Sequence, residues 1–171
     1  MIPFFTKMLE STATKIPFTL KLLNPYYNQM VDDEINIAKI KDTDNVLVIG
    51  GGPVPMTAMM IHQRTQARLT IIDHDKNVIP KASKCLKHYC SHGEISLMHG
   101  CVKSIDLSPY TVIHIAKQVS PKACVLNHIL THAPKTTRVL VRLDKTDKAL
   151  KQDTSYKHHK RLVKETCLFT V

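Results

Sequence analysis

The chain has 171 residues, is 43% hydrophobic and 22% charged, lacks Trp and carries a net charge of +10. This length and balance predict one soluble globular unit with a sizeable core, and they exclude a disordered or collagen-like chain. No apolar stretch approaches the ~18 residues a membrane span needs, and residues 1–7 lack the layout of a secretory signal, so a cytoplasmic location is expected.

In chain order, Phe4, Phe5, Met8 and Leu9, then Ile16, Phe18, Leu20, Leu22 and Leu23, keep helical company. Pro3 and Pro17 open the two halves, predicting two short helices. From Tyr27 to Ile40 the signal strengthens. Met30, Val31, Ile35, Ile37, Ala38 and Ile40 recur at near-helical spacing, with Asp32, Asp33 and Glu34 in the early turns. Strands are expected at 45–50, 68–73, 95–99, 111–116 and 138–143, and helices at 54–64, 75–90 and 121–133. Runs such as Val46–Ile49 and Val139–Leu143, the latter broken by Arg142 alone, are what strands covered on both faces look like.

Strands alternating with helices imply a doubly wound parallel sheet, a Rossmann-like three-layer α/β/α sandwich. Residues 1–44 form its N-terminal helical segment and 45–171 the sheet domain. The link Val102–Tyr110 is short for a crossover helix, so a loop or a reduced helix is expected there. The tail reads as a loop to about 155, a short basic helix, then a last strand at 167–171. Lys157, His158, His159, Lys160 and Arg161 concentrate the basic excess there and read as a solvated face. Aromatics are too few for a base-stacking platform. The five cysteines are scattered, without a Cys-x-x-Cys pair, and read as reduced thiols.

The functional signal is Val46-Leu47-Val48-Ile49-Gly50-Gly51-Gly52-Pro53-Val54-Pro55 followed by Ile71-Ile72-Asp73-His74-Asp75. An apolar strand, a glycine turn, a helix start and a second strand ending in an acid make a nucleotide-type pocket. The glycines let backbone approach a ligand, and Asp73 is placed to accept from a ribose diol. Pro53 and Pro55 remove N–H groups that a dinucleotide pyrophosphate would need, and no Gly-Lys-Ser/Thr follows for a P-loop. An adenosine ligand without a phosphate bridge fits better, and S-adenosylmethionine is the candidate cofactor.

Gly50-Gly51-Gly52-Pro53-Val54-Pro55-Met56-Thr57 resembles the Gly-Ser-Gly-Pro-Leu-Pro-Leu-Thr signature of nicotianamine synthases and their metallophore-making relatives. Ile72-Asp73-His74-Asp75 is similar to their Asp-Ile-Asp stretch. Pro25-Tyr26-Tyr27 with Met30-Val31-Asp32-Asp33-Glu34 resembles the segment carrying their Tyr and Glu, and Lys122–Arg142 is compatible with their helix and Arg-ended strand. The resemblance spans roughly residues 25–143. It implies a class I S-adenosylmethionine-dependent fold and transfer of the 3-amino-3-carboxypropyl group to a small amine or amino acid, with methylthioadenosine leaving. By the same resemblance Glu34 is the general base or amine-orienting carboxylate, and Tyr27 lines the substrate pocket.

Gly50, Gly51, Gly52, Pro53, Asp73 and His74 are then the expected cofactor contacts. Cys101 and Val102 stand after strand three, where many class I proteins have an acid, and Ala116 ends strand four. Adenine recognition through backbone is implied there. Two departures stand out: only about 44 residues precede the sheet, and that acid is missing.

Other residues carry alternatives. Asp75 is a helix cap or a ligand contact. Lys117, past strand four, is a surface lysine or meets a substrate carboxylate. His114 reads as a core histidine with a partner. His128 and His132, four apart on one helix, are at metal-pair spacing, but no third ligand is evident and no metal is expected. Ala116-Lys117-Gln118-Val119 does not match the Asp/Asn-Pro-Pro-Tyr of base-amine methyltransferases, which disfavours nucleic acid as a partner. Methyl transfer to a small molecule or RNA remains an alternative, as does a non-catalytic subunit using its basic tail. The expected partner is a small-molecule amine or amino acid, not a membrane, and a homodimer is compatible with the chain.

Overall fold

The computed structural model describes residues 17–89, 95–144, 147, 161–163 and 165–171. Its strands are β1 (Asn45–Ile49), β2 (Arg68–Asp73), β3 (Ile95–His99), β4 (Val112–Ile115), β5 (Arg138–Arg142), β6 (Arg161–Val163) and β7 (Thr166–Thr170). Its helices are α1 (Pro17–Ala38), α2 (Met56–Thr65), α3 (Val78–Tyr89) and α4 (Lys122–His132). They build a seven-stranded sheet of order β3-β2-β1-β4-β5-β7-β6. The β1–β5 pairs are parallel, and β7 runs antiparallel to both neighbours.

Apolar side chains on both faces of the central strands give two core layers. Val46, Val48, Ile71, Val112 and Leu140 pack on one face with Val31 of α1, Ala58 and Ile61 of α2, and Leu86 of α3. Leu47, Ile49, Ile113, Ile115, Val141 and Phe169 pack on the other with Leu126 and Ile129 of α4. Each fully buried Val, Leu, Ile or Phe side chain among these contributes ~1.5–3 kcal/mol, so the sheet centre is the rigid platform for whatever lies at its edge.

Chain order reverses on either side of β1, whose neighbours are β2 and β4. This switch point opens a crevice at the carboxyl ends of β1 and β4, the place where open α/β sheets bind ligands. Three expectations are corrected. The short helix expected from Pro17 and the helix expected from Tyr27 are one: α1 runs 22 residues, Pro17–Ala38, through Pro25. Helix 75–90 begins instead at Val78, because the Asp75 carboxylate accepts from Asn77 N at 2.9 Å and closes a turn ahead of it. In the tail, Arg161–Val163 is strand and not basic helix. The expected first helix, the loop after Lys148 and most of the basic cluster lie outside the described residues. The short link after β3 is a single 3₁₀ turn, Val102–Ser104, as its length requires.

Helix α1 ends in a defined way. Lys39 takes a left-handed φ of 50°, Lys39 N donates to Asn36 O at 3.3 Å, and Ile40 N reaches back to Ile35 O at 3.0 Å. This is the Schellman pattern, and buried Ile40 seals it. Arg138 of β5 then donates to the carbonyls of Ala38 and Lys39 and pairs with Asp44. The helix is thereby pinned across the sheet with its buried stripe of Val31, Glu34 and Ala38 facing inward.

Candidate active site

Two clusters meet at the carboxyl end of β1. The first is the glycine bend. Gly50 and Gly52 adopt φ of 77° and 69°, which glycine alone takes without strain. Gly51 is required by space instead: a Cβ there would stand 2.4 Å from Ile71 Cγ2. Gly52 N donates to Asp73 Oδ2 at 3.1 Å, and Asp75 N donates to Asp73 Oδ1 at 3.1 Å. The acid at the end of β2 thus touches the bend after β1, and each of its oxygens keeps further lone pairs for a ligand.

Gly50, Gly51, Thr57, Ala116, Gln118 and Arg142 are among the residues lining a small recess, open to solvent, beside the bend. Gln118 Nε2 donates to Gly50 O at 2.8 Å, and Ala116 N donates to Ile49 O at 3.1 Å, so the turns after β1 and β4 are tied together. Among the other expected contacts, Val102 is buried and Cys101 exposed. His74 carries an exposed side chain, and its carbonyl accepts from His99 Nε2 at 3.2 Å. An open bend with a carboxylate facing it suits the ribose of an adenosine moiety.

The second cluster is a buried ion pair. Glu34 is 1% exposed. Its Oε1 accepts from Arg142 Nε at 2.7 Å and Thr166 Oγ1 at 2.8 Å. Its Oε2 accepts from Arg142 Nη2 at 2.7 Å and His114 Nε2 at 3.3 Å. Arg142 Nη1 donates to Thr57 Oγ1 at 2.8 Å, reaching the first turn of α2 and the recess wall. Burial alone would push the Glu34 carboxyl up, yet the His114 imidazole and the Arg142 guanidinium together hold it well below the usual carboxylate range. Glu34 is therefore a standing anion.

Tyr27 lies on α1 about two turns before Glu34, and its side chain is outside the described residues. Lys117 Nζ is 2.6 Å from Glu165 Oε2, and the buried Lys122 donates to Lys117 O at 3.0 Å and pairs with Asp147. The His128 and His132 rings stack with centroids 4.3 Å apart, and burial with neighbouring His132 and Lys103 holds His128 below its ordinary value. Among the described residues no three His, Cys, Asp or Glu side chains gather as a metal site.

The sequence reading assigned no role to Arg142, Thr57, Thr166 or Gln118, and placed His114 only in the core. A signal was present. Glu34 occupies the buried stripe of α1, while His114 and Arg142 interrupt apolar strands on one face; a buried acid and a buried base each demand a partner. The register then delivers it, since Arg142 pairs with Thr166 and His114 with Leu140, two residues before Arg142.

No protein-family model matches the chain. It is 22% identical over 116 residues to an L-histidine 2-aminobutanoyltransferase of Yersinia pestis, covering 68% of this chain and 43% of that protein. The chain thus spans less than half the length of that relative. Among solved structures, a glutamate-to-glutamine variant of the nicotianamine synthase MtNAS superposes with a TM-score of 0.80 at 16% identity, over 96% of this chain and 71% of that one. The same variant in complex with S-adenosylmethionine gives 0.77, with the same identity and coverage. A putative S-adenosylmethionine-dependent methyltransferase from Methanococcus maripaludis gives 0.70 at 13% identity, over 96% and 92%. The chain has the class I S-adenosylmethionine-dependent methyltransferase fold, and within that fold it resembles the nicotianamine synthase-like proteins.

Proposed function

We propose that this chain binds S-adenosylmethionine and directs its 3-amino-3-carboxypropyl group to the nitrogen of a small amine or amino acid. The supporting observation is the convergence at one sheet end: Asp73 tied to Gly52 at the bend, beside a recess walled by an Arg142 that a buried Glu34 locks in place. When bound, the cofactor supplies a carbon activated by its sulfonium, with methylthioadenosine as leaving group. Asp73 accepts from the ribose diol. Gly50, Gly51, Gly52, Pro53 and Ala116 meet the nucleoside through backbone, with His74, Cys101 and Val102 at its adenosine end.

Glu34 acts by charge. Held in its charged form by Arg142 and His114, the carboxylate is read here as the group that orients the acceptor amine. The amine sheds its proton to water, and the reaction runs chiefly on orientation. Tyr27 lines the acceptor side. In this reading residues 1–44 supply Glu34 and Tyr27, residues 45–171 supply the nucleoside pocket, and the two work as one unit. A cytoplasmic setting is part of this reading, and no described helix is long and apolar enough to cross a membrane.

Methyl transfer is the second reading, favoured by the 92% coverage of the Methanococcus maripaludis protein. Identification of the nucleoside product from a broad amine panel separates the two. Methylthioadenosine supports the proposal; S-adenosylhomocysteine supports methyl transfer and overturns it.

A further inference from the structure

His114 is an expensive residue for its position. It sits fully buried on β4, in register between Val48 of β1 and Leu140 of β5, within an otherwise aliphatic layer. Its Nε2 reaches Glu34 Oε2 at 3.3 Å, but among the described residues nothing partners its Nδ1. Buried polar atoms are nearly always satisfied, so an orphaned one calls for a reason other than packing. A leucine would fill the layer without the orphan. The 3.3 Å contact is also the longest of the four that Glu34 receives, against 2.7, 2.7 and 2.8 Å for the others. Oε1 is gripped by Arg142 and Thr166, whereas Oε2 has one firm donor and one loose one. Oε2 is therefore the less firmly held oxygen of a carboxylate anchored through Oε1.

We propose that His114 is a positioning residue: it is kept in the core to aim Glu34 Oε2 at the acceptor amine, and it loosens its hold as that ammonium arrives. The proposal rests on the aminocarboxypropyl-transfer reading. The charged groups facing the imidazole and its carboxylate are Glu34 from α1 and Arg142 from β5; β1 presents Val48 and β7 presents Thr166.

The test compares His114→Leu, which removes Nε2, with His114→Gln, which returns an amide N–H near the same place. Activity is followed as methylthioadenosine release between about pH 6 and 9, beside thermal midpoints. In the leucine variant kcat is expected to fall about tenfold or more, with KM for S-adenosylmethionine within about twofold. Its acid limb moves to higher pH, because a carboxylate with one donor fewer holds the acceptor ammonium more tightly. The glutamine variant recovers most of the loss, and both variants melt within about 3 °C of the parent chain. A leucine variant with unchanged kcat and pH profile overturns the proposal, as does a kcat loss that tracks a fallen melting point and is not recovered by glutamine. If the parent chain yields no methylthioadenosine, the functional reading fails by itself. Acid unfolding then judges His114: the leucine variant unfolds at higher pH if the imidazole serves Glu34, and an unmoved midpoint overturns that service.

Discussion

Glu34 and Arg142 form a two-pronged ion pair, 2.7 Å on each prong, that joins the inner stripe of α1 to the carboxyl end of β5. The two residues lie on elements far apart in the chain, so the pair both docks the helix and sets the charge at the recess.

Breaking that pair from one side leaves the other charge buried. Glu34→Gln is expected to lower stability by ~3–5 kcal/mol, seen as a fall in the urea midpoint, and to reduce turnover at least about a hundredfold. Adding Arg142→Met removes the orphaned cation. The double variant is predicted to regain much of the lost stability while staying inactive. A double variant no more stable than Glu34→Gln contradicts the buried-pair account.

The same pair fixes a pH dependence. The Glu34 carboxyl titrates below a free glutamate's 4.5 in the folded chain, so below that value the unfolded state binds the proton first. Its contribution is complete above the unfolded pKa and is lost as pH falls toward the lowered folded value. Stability measured between pH 7 and 2 should therefore decline more steeply in the parent chain than in Glu34→Gln. Parallel curves would show that the pair contributes nothing differential.

The glycine bend makes a steric prediction. Gly51→Ala places a methyl 2.4 Å from the fully buried Ile71 Cγ2, an overpacking expected to cost ~1–3 kcal/mol. Gly50→Ala adds strain at a φ of 77° to a 2.6 Å contact with Val119 Cγ2. Both variants should lose affinity for S-adenosylmethionine. An alanine at position 51 with an unchanged melting temperature contradicts the close approach of the bend to β2.

Asp73 carries a binding prediction. Asp73→Ala removes both the anchor for Gly52 N and the acceptor for the ribose, and calorimetry should show S-adenosylmethionine affinity reduced about ten- to a hundredfold. Asp73→Asn, which keeps one carbonyl acceptor, should fall between. Equal affinity in all three proteins removes Asp73 from the site.

The parallel half of the fold was legible because its physics is local. Each strand is an apolar run ended by a turn, β3 falls on 95–99 as expected, and the two-face burial follows from composition. The bend and Asp73 were legible for the same reason, since adjacent strands of a doubly wound sheet bring them together. Continuity of α1 was not, because Pro25 stands between the two apolar stretches and a proline inside a helix runs against local preference. Strand β6 was hidden by basic residues that read as a solvated helix face. The network of Glu34, His114, Arg142 and Thr166 was only half visible: the helix stripe and strand parity mark each residue as buried, but their meeting depends on strand register across β4, β5 and β7.

The most direct measurement of the central claim uses S-adenosylmethionine labelled differently in the methyl group and in the carboxyl group, incubated with the chain and a panel of amines and amino acids. The account predicts carboxyl label on the acceptor and methyl label retained in the nucleoside product. Methyl label on the acceptor, with the carboxyl label left in S-adenosylhomocysteine, contradicts it.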